Sequence, residues 1–294
     1  MSKALALMYH DVVLAGRSAS SGFQTVGAEH YKLTVQQFEE HLAAIERTVA
    51  RKPVLIDEDD WHTSFLFTMD DGGSSSLHVA DQLERRGWRG HFFIATNCIG
   101  TVGFMSSGEL RKLSRRGHVI GSHSCSHPIP MWNCTPERIF SEWRDSRLKL
   151  EDVLDKAITC ASVPGGAYTR MIAESAARAG YVNLFSSEPT RSVQYVDGCR
   201  VIGRYMILHT TPAAEAARLA GGDALTCARQ HALWNGKKLL KKWASGPYAA
   251  ARAYMMQRRY PKADADRSQA PKCVETCPPE SLERQELAPR KGNE

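Results

Sequence analysis

Apolar and polar positions along this chain change period repeatedly, and each change marks an element. Lys3–Tyr9 is a nearly continuous apolar run of strand length, the pattern of a strand buried on both faces. Thr34 and Gln37 make a capping box, and Phe38, Leu42 and Ile45 then recur at helical spacing. Thr63–Met69 reads as a second strand and Leu77–Arg86 as a helix closed by Gly87. Strand His91–Thr96 follows, then a helix capped by Ser106 and Glu109 that ends near Gly117, and then strand His118–Gly121. Thr135 with Pro136 opens a long helix in the favoured order of cap and first-turn proline. Strand Ala157–Val163, helix Arg170–Ala179, strand Tyr181–Phe185 and strand Val201–Leu208 come after it. Such alternation predicts an α/β fold, a parallel sheet under helices that is either open and doubly wound or closed into a barrel.

Near residue 222 the pattern breaks. Leu233–Trp243 is a basic amphipathic helix with two readings: it packs Leu239 and Trp243 on the body, or it rests on anionic lipid. Beyond Pro261 the aromatics vanish and Pro, Ala, Lys and Glu dominate, the composition of a disordered tail. The expected organisation is a body at 1–221, a C-terminal helical extension at 222–260 and a disordered tail at 261–294.

Composition narrows the class. Of 294 residues 43% are hydrophobic, enough for a sizeable core, and the net charge is only +6. No basic stripe with aromatic platforms runs through the first two-thirds, so nucleic acid is not an expected partner. The eight cysteines form no regular framework and read as reduced thiols. The N-terminus lacks a long apolar stretch with a small-residue cleavage site, and no window reaches the roughly 18 apolar residues of a membrane span. The expected location is the cytoplasm, with residues 233–243 as the one candidate for peripheral membrane contact. The sequence leaves the oligomeric state open.

The chemistry collects at the carboxyl ends of the predicted strands, which share one face in parallel α/β folds. There stand His10-Asp11, Asp70-Asp71-Gly72-Gly73, His123 through His127, Pro164 through Tyr168, and His209. Asp70-Asp71-Gly72 alone could be a simple turn. Adjacent carboxylates on a strand end diverge, however, so one can hold a metal while the other takes a proton; Gly72 and Gly73 would give a ligand close access to the backbone. His123 and His127, four apart, would share a face if the chain turns helical after Gly121. With Asp71 they make a nitrogen and carboxylate set that suits zinc, with cobalt or nickel also fitting.

These residues resemble the polysaccharide deacetylases, the NodB-homology family. Phe67-Thr68-Met69-Asp70-Asp71-Gly72 is similar to the family's Thr-Phe-Asp-Asp-Gly motif, with Met69 in place of Phe, and His123-Ser124-Cys125-Ser126-His127-Pro128 to its His-Ser/Thr-x-x-His motif. The resemblance spans roughly residues 3 to 210. It implies a distorted (β/α) barrel and a metal-dependent deacetylase that releases acetate from an N-acetylated carbohydrate. Asp70 would be the general base, Asp71, His123 and His127 the metal ligands, and His209, near a Leu-x-His-like motif, the general acid. The amide of Tyr168 or a neighbour would help hold the oxyanion, and His10 would contact substrate. The family's third-motif Arg is absent from Ser162-Val163-Pro164-Gly165, and Ser186-Ser187-Glu188 replaces the Asp-Trp segment that usually pairs with it. Arg204 is the candidate to restore positive charge beside Asp70. A different amide or cyclic ureide as substrate, or an inactive carbohydrate-binding relative, are the alternatives; Tyr31, His41, His78 and His91 read as structural or surface residues.

Overall fold

The computed structural model describes residues 2–166 and 168–243, with side chains described as far as Gly236. Strand β1 (Leu5–Tyr9) opens the chain, followed by β2 (Val12–Val13), α1 (Val26–Glu29), β3 (Leu33–Thr34) and α2 (Val35–Thr48). Strand–helix units come next: β4 (Phe65–Met69) with α3 (Ser76–Glu84), β5 (His91–Ile94) with α4 (Ser107–Arg115), β6 (Val119–Ser122) with α5 (Pro136–Leu154), and β7 (Cys160–Ser162) with α6 (Arg170–Arg178). Then follow β8 (Asn183–Phe185), β9 (Gln194–Val196), β10 (Cys199–Ile202), β11 (Tyr205–Met206), α7 (Ala213–Ala220) and α8 (Ala224–Trp243). The caps expected at Thr34, Ser106 and Thr135 all form, each side-chain oxygen accepting a backbone N–H of the first turn.

Nine strands make one sheet in the order β11-β1-β4-β5-β6-β7-β8-β10-β9, parallel throughout except between β10 and β9. Strands β10 and β11 are one extended run interrupted at Gly203-Arg204, yet they lie towards opposite edges of that order. Residues 2–4 also bond to 191–193, with Ala4 N–H on Arg191 O at 2.8 Å and Val193 N–H on Ser2 O at 3.1 Å. The sheet therefore curls round on itself, the distorted (β/α) barrel that the sequence resemblance implied.

Alternation along the strands decides which side chains face inward. Leu5, Leu7, Tyr9, Phe65, Phe67, Met69, Phe92, Ile120 and Ala161 belong to the cluster that packs under the helices. Their neighbours Ala4, Ala6, Leu66, Phe93, Cys160, Phe185 and Ile202 fill the barrel interior. Continuing each inward series in steps of two arrives at His10, Asp70, Ser162 and Arg204. On β6 the same series runs Val119, Gly121, His123. A Cβ at Gly121 would lie 2.7 Å from the Phe93 ring, so glycine is what lets that ring plug the barrel below the site.

The expected strand Val201–Leu208 is split, because Arg204 turns inward between β10 and β11. The β2–β3 pair, β9 and α7 were not foreseen; β2, β3 and β11 are two residues long, too short for a period to show. Helix α8 begins at Ala224 and its start is docked on the body: the Gln230 amide accepts from Met206 N–H at 2.9 Å and donates to Met206 O at 3.0 Å. The side chains of the basic stretch Lys237–Trp243, and the tail 261–294, lie outside the described residues. Among the described residues no helix is long and apolar enough to cross a membrane.

The cysteine expectation holds only in part. Cys125, Cys160, Cys199 and Cys227 are free, but Cys98 and Cys134 are disulfide-bonded.

Candidate active site

Asp70 and Asp71 leave the end of β4 in different directions because Asp71 has φ +74°. Asp70 continues inward. There Arg204 grips it with both ends of the guanidinium, Nη1 to Oδ1 at 2.7 Å and Nη2 to Oδ2 at 2.8 Å. The remaining N–H groups of Arg204 go to Ser186 O (3.0 Å), Thr68 Oγ1 (3.1 Å) and Ser162 Oγ (2.7 Å), so all five donors are used. Ser162 Oγ in turn donates to Asp70 Oδ1 at 3.2 Å. Ser162 and Ser186, at the positions where the sequence resemblance expects an Arg and its partner, thus both bind Arg204.

Asp71 faces the other way. Its Oδ1 lies 3.4 Å from His123 Nε2 and 3.4 Å from His127 Nε2, and one ligand atom from each of the three residues falls within 4.8 Å of the others. His123 Nδ1–H donates to Ser162 O at 2.8 Å, which turns Nε2 toward Asp71 and leaves it as the nitrogen that could ligate an ion once deprotonated. Two imidazole nitrogens and a carboxylate, converging and all buried, fit one divalent ion. Phe23 stacks on the His127 ring at 4.5 Å and leans on Phe104 at 4.9 Å, closing that flank.

The loop bearing the two histidines is not helical, contrary to the expectation. Ser124 and His127 both have positive φ, +64° and +55°. The N–H groups at the middle of the loop are satisfied from another element: Cys125 N–H and Ser126 N–H both donate to Glu142 Oε2 on α5, at 2.9 and 2.8 Å. Glu142 was not anticipated, though a charge beside Trp143 on the buried stripe of α5 is a readable signal.

Burial raises the carboxyl pKa of Asp70, but Arg204 and His123 outweigh it and hold the group below its ordinary value. Burial likewise raises Asp71, and the hydrogen bonds from His123 and His127 bring it well below. The two imidazoles differ. Burial lowers both, yet in His123 the nearby charges of Asp70 and Asp71 outweigh it and leave the group above its usual value, whereas in His127 they do not and it ends below.

His10 belongs to the site: its Nε2 is 4.0 Å from Asp70 Oδ2, and its ring lies on Tyr31 at 4.4 Å. Tyr31, read as structural or surface, is therefore the wall behind His10. His209 makes its contacts elsewhere, its Nδ1 on His30 O at 3.0 Å and its ring on that of His30 at 5.8 Å. The Tyr168 ring packs on the helix-side core, and its amide adjoins Ala167, which is outside the described residues. Gly73 serves the fold, since a Cβ there would lie 2.0 Å from Asp11 Oδ1. His41 and His91 are buried and structural, as read, with ring nitrogens on Thr211 O and Phe67 O.

Known proteins were compared against this geometry. Residues 59–184 match the sequence model of a family described as polysaccharide deacetylase. The YxkH protein of Bacillus subtilis, named for the same family, is 26% identical over 125 residues, which cover 42% of this chain and 44% of that protein. The matched stretch is thus under half of that relative's length. Among solved structures, the polysaccharide deacetylase BC0361 of Bacillus cereus superposes with a TM-score of 0.62 at 17% identity over 74% of this chain and 69% of that one. The Streptococcus pyogenes deacetylase PplD, solved with acetate, gives 0.62 at 16% over 74% and 98%. IcaB from Ammonifex degensii gives 0.60 at 17% over 75% and 98%. At these identities the likeness is one of fold.

Proposed function

We propose that this chain, whose residues 59–184 match the polysaccharide deacetylase family model, is a metal-dependent hydrolase that removes acetyl groups from the nitrogen of an N-acetylated carbohydrate. The observation that carries the reading is the division of labour at the end of β4: Asp71 joins two histidines, while Asp70, one residue away, is held ionised by a buried arginine. Asp71, His123 and His127 would hold zinc or a similar divalent ion, which when bound supplies Lewis acidity to a carbonyl oxygen and acidifies water. Asp70 takes the proton as water adds to the acetamide carbon. The bond from that carbon to nitrogen then breaks, giving acetate and a free amine, and the amine leaves with a proton from the enzyme.

The geometry favours His10 over His209 for delivering that proton. His10 lies against Asp70, and its buried Nδ1 has no hydrogen-bond partner. His209 bonds the His30 carbonyl through Nδ1, and no contact among the described residues joins it to Asp70 or to the three candidate ligands.

The test is acetate release from a panel of N-acetylated oligosaccharides, with and without added zinc, for the wild type and Asp70→Asn. Zinc-dependent release that disappears in the variant supports the reading. No release from any glycan by a protein that binds one equivalent of zinc would move the substrate to another amide.

A further inference from the structure

The loop between the two histidines has an unusual support. Glu142, on the buried side of α5, is almost wholly enclosed, its side chain 2% exposed. Its Oε2 accepts the consecutive backbone N–H groups of Cys125 and Ser126, and its Oε1 accepts the Ser126 hydroxyl at 2.6 Å. Arg138, one turn earlier on the helix, places Nη2 2.8 Å from Oε1 and 3.1 Å from Ser126 Oγ, which neutralises the carboxylate. One side chain thus fixes both residues at the middle of the segment whose ends are His123 and His127.

The loop needs such an anchor. Two of its five residues carry side chains in the left-handed region, which costs conformational energy that the surroundings must offset. The bonds inside the loop, Ser124 N–H on Ser122 Oγ at 3.0 Å and His127 N–H on Ser124 Oγ at 3.1 Å, are neutral. Bonds to a charged carboxylate are roughly twice as strong. Without Glu142, two buried N–H groups would lose their acceptor, and the loop would relax toward a helical turn or toward solvent. Either change moves His127 relative to His123.

We propose that Glu142 is the positioning residue of the metal site: it holds Cys125 and Ser126 so that His123 Nε2 and His127 Nε2 converge on Asp71. The proposal rests on the reading of Asp71, His123 and His127 as metal ligands. Glu142 touches neither metal nor substrate, so its effect is on metal affinity, whereas a merely structural residue would change the melting temperature alone.

The experiment measures zinc affinity of the full chain by competition with a chelating dye, together with the melting temperature of the metal-free protein. Variants are Glu142→Ala and Glu142→Gln. The zinc Kd should rise about 10- to 100-fold in Glu142→Ala, the range seen when groups supporting metal ligands are removed. Glu142→Gln keeps one acceptor oxygen and should rise less. A folded Glu142→Ala that binds zinc as the wild type does overturns the proposal; if that variant does not fold, an unchanged Kd in Glu142→Gln overturns it equally. Failure of the wild type itself to bind zinc would instead overturn the reading of the three ligands, and the two failures are told apart by which protein shows them.

Discussion

Arg204 holds both carboxylate oxygens of Asp70 although 134 residues separate them, and it does so from the seam where the barrel curls back on itself. The pair is enclosed, with Arg204 fully buried and the Phe93 ring 5.7 Å from its guanidinium carbon. Removing one partner strands the other. Arg204→Met should lower stability by about 3–5 kcal/mol, the usual cost of leaving a buried charge alone. The double variant Arg204→Met with Asp70→Asn should melt higher than Arg204→Met by itself. Thermal unfolding of the four proteins closes that cycle, and additive losses would show that the two residues do not act as a pair.

Asp70 and Asp71 are adjacent and chemically identical, yet their losses should look different. Asp70→Asn should keep one equivalent of zinc while acetate release falls by about 10²- to 10⁴-fold, the usual range for a general base. Asp71→Asn should fail at the earlier stage, with metal lost on dialysis. Metal content by atomic absorption, read beside turnover, separates them. A metal-free Asp70→Asn would put the base in the wrong place.

The proton donor can be assigned by comparing two histidines. Replacing His10 with Gln should reduce kcat strongly at saturating substrate with little change in zinc content, because the ring sits at the site but is no ligand. His209→Gln should leave kcat within a few-fold of the wild type, roughly the size of a lost surface contact. The reverse order of effects would restore His209 to the role that the family resemblance gave it.

His91 sets part of the acid limit of the fold. It is buried, with Nδ1–H on Phe67 O at 3.0 Å and Nε2 accepting Ile56 N–H at 3.0 Å, so a second proton has no room. Burial pulls its pKa down to about 4. The unfolded chain binds this proton first as the pH falls, so the contribution is intact above about 6.5 and is lost on the way down to about 4. The loss reaches about 3 kcal/mol at the lower end, from roughly 1.4 kcal/mol per pKa unit. Urea unfolding between pH 7 and pH 4.5 should show a shallower fall for His91→Gln than for the wild type. Parallel slopes would mean that other groups set the acid limit.

Much of this was legible along the chain. The alternating strands and helices and the strand ends bearing Asp70, Asp71, His123 and His127 are local patterns, and local patterns survive folding. The supports were harder to read. Arg204 reaches Asp70 only because the sheet curls, so its partner could be guessed from a missing arginine elsewhere but not from its neighbours. Glu142 sits on a helix whose polar and apolar residues are mixed, and its task is set by backbone N–H groups, which no side-chain pattern announces. The helical turn that would have put His123 and His127 on one face does not form: Ser124 and His127 take positive φ, and the carboxylate on α5 accepts the N–H groups between them.

Among the described residues strand β11 pairs with β1 alone, so the other side of its backbone is a sheet edge. The Gln230 amide imitates a strand there, giving Met206 both the acceptor and the donor it lacks. The first turns of α8 therefore occupy the backbone edge at Met206 that a further strand would need. A chain lacking Gln230 would leave both backbone groups of Met206 open to another partner.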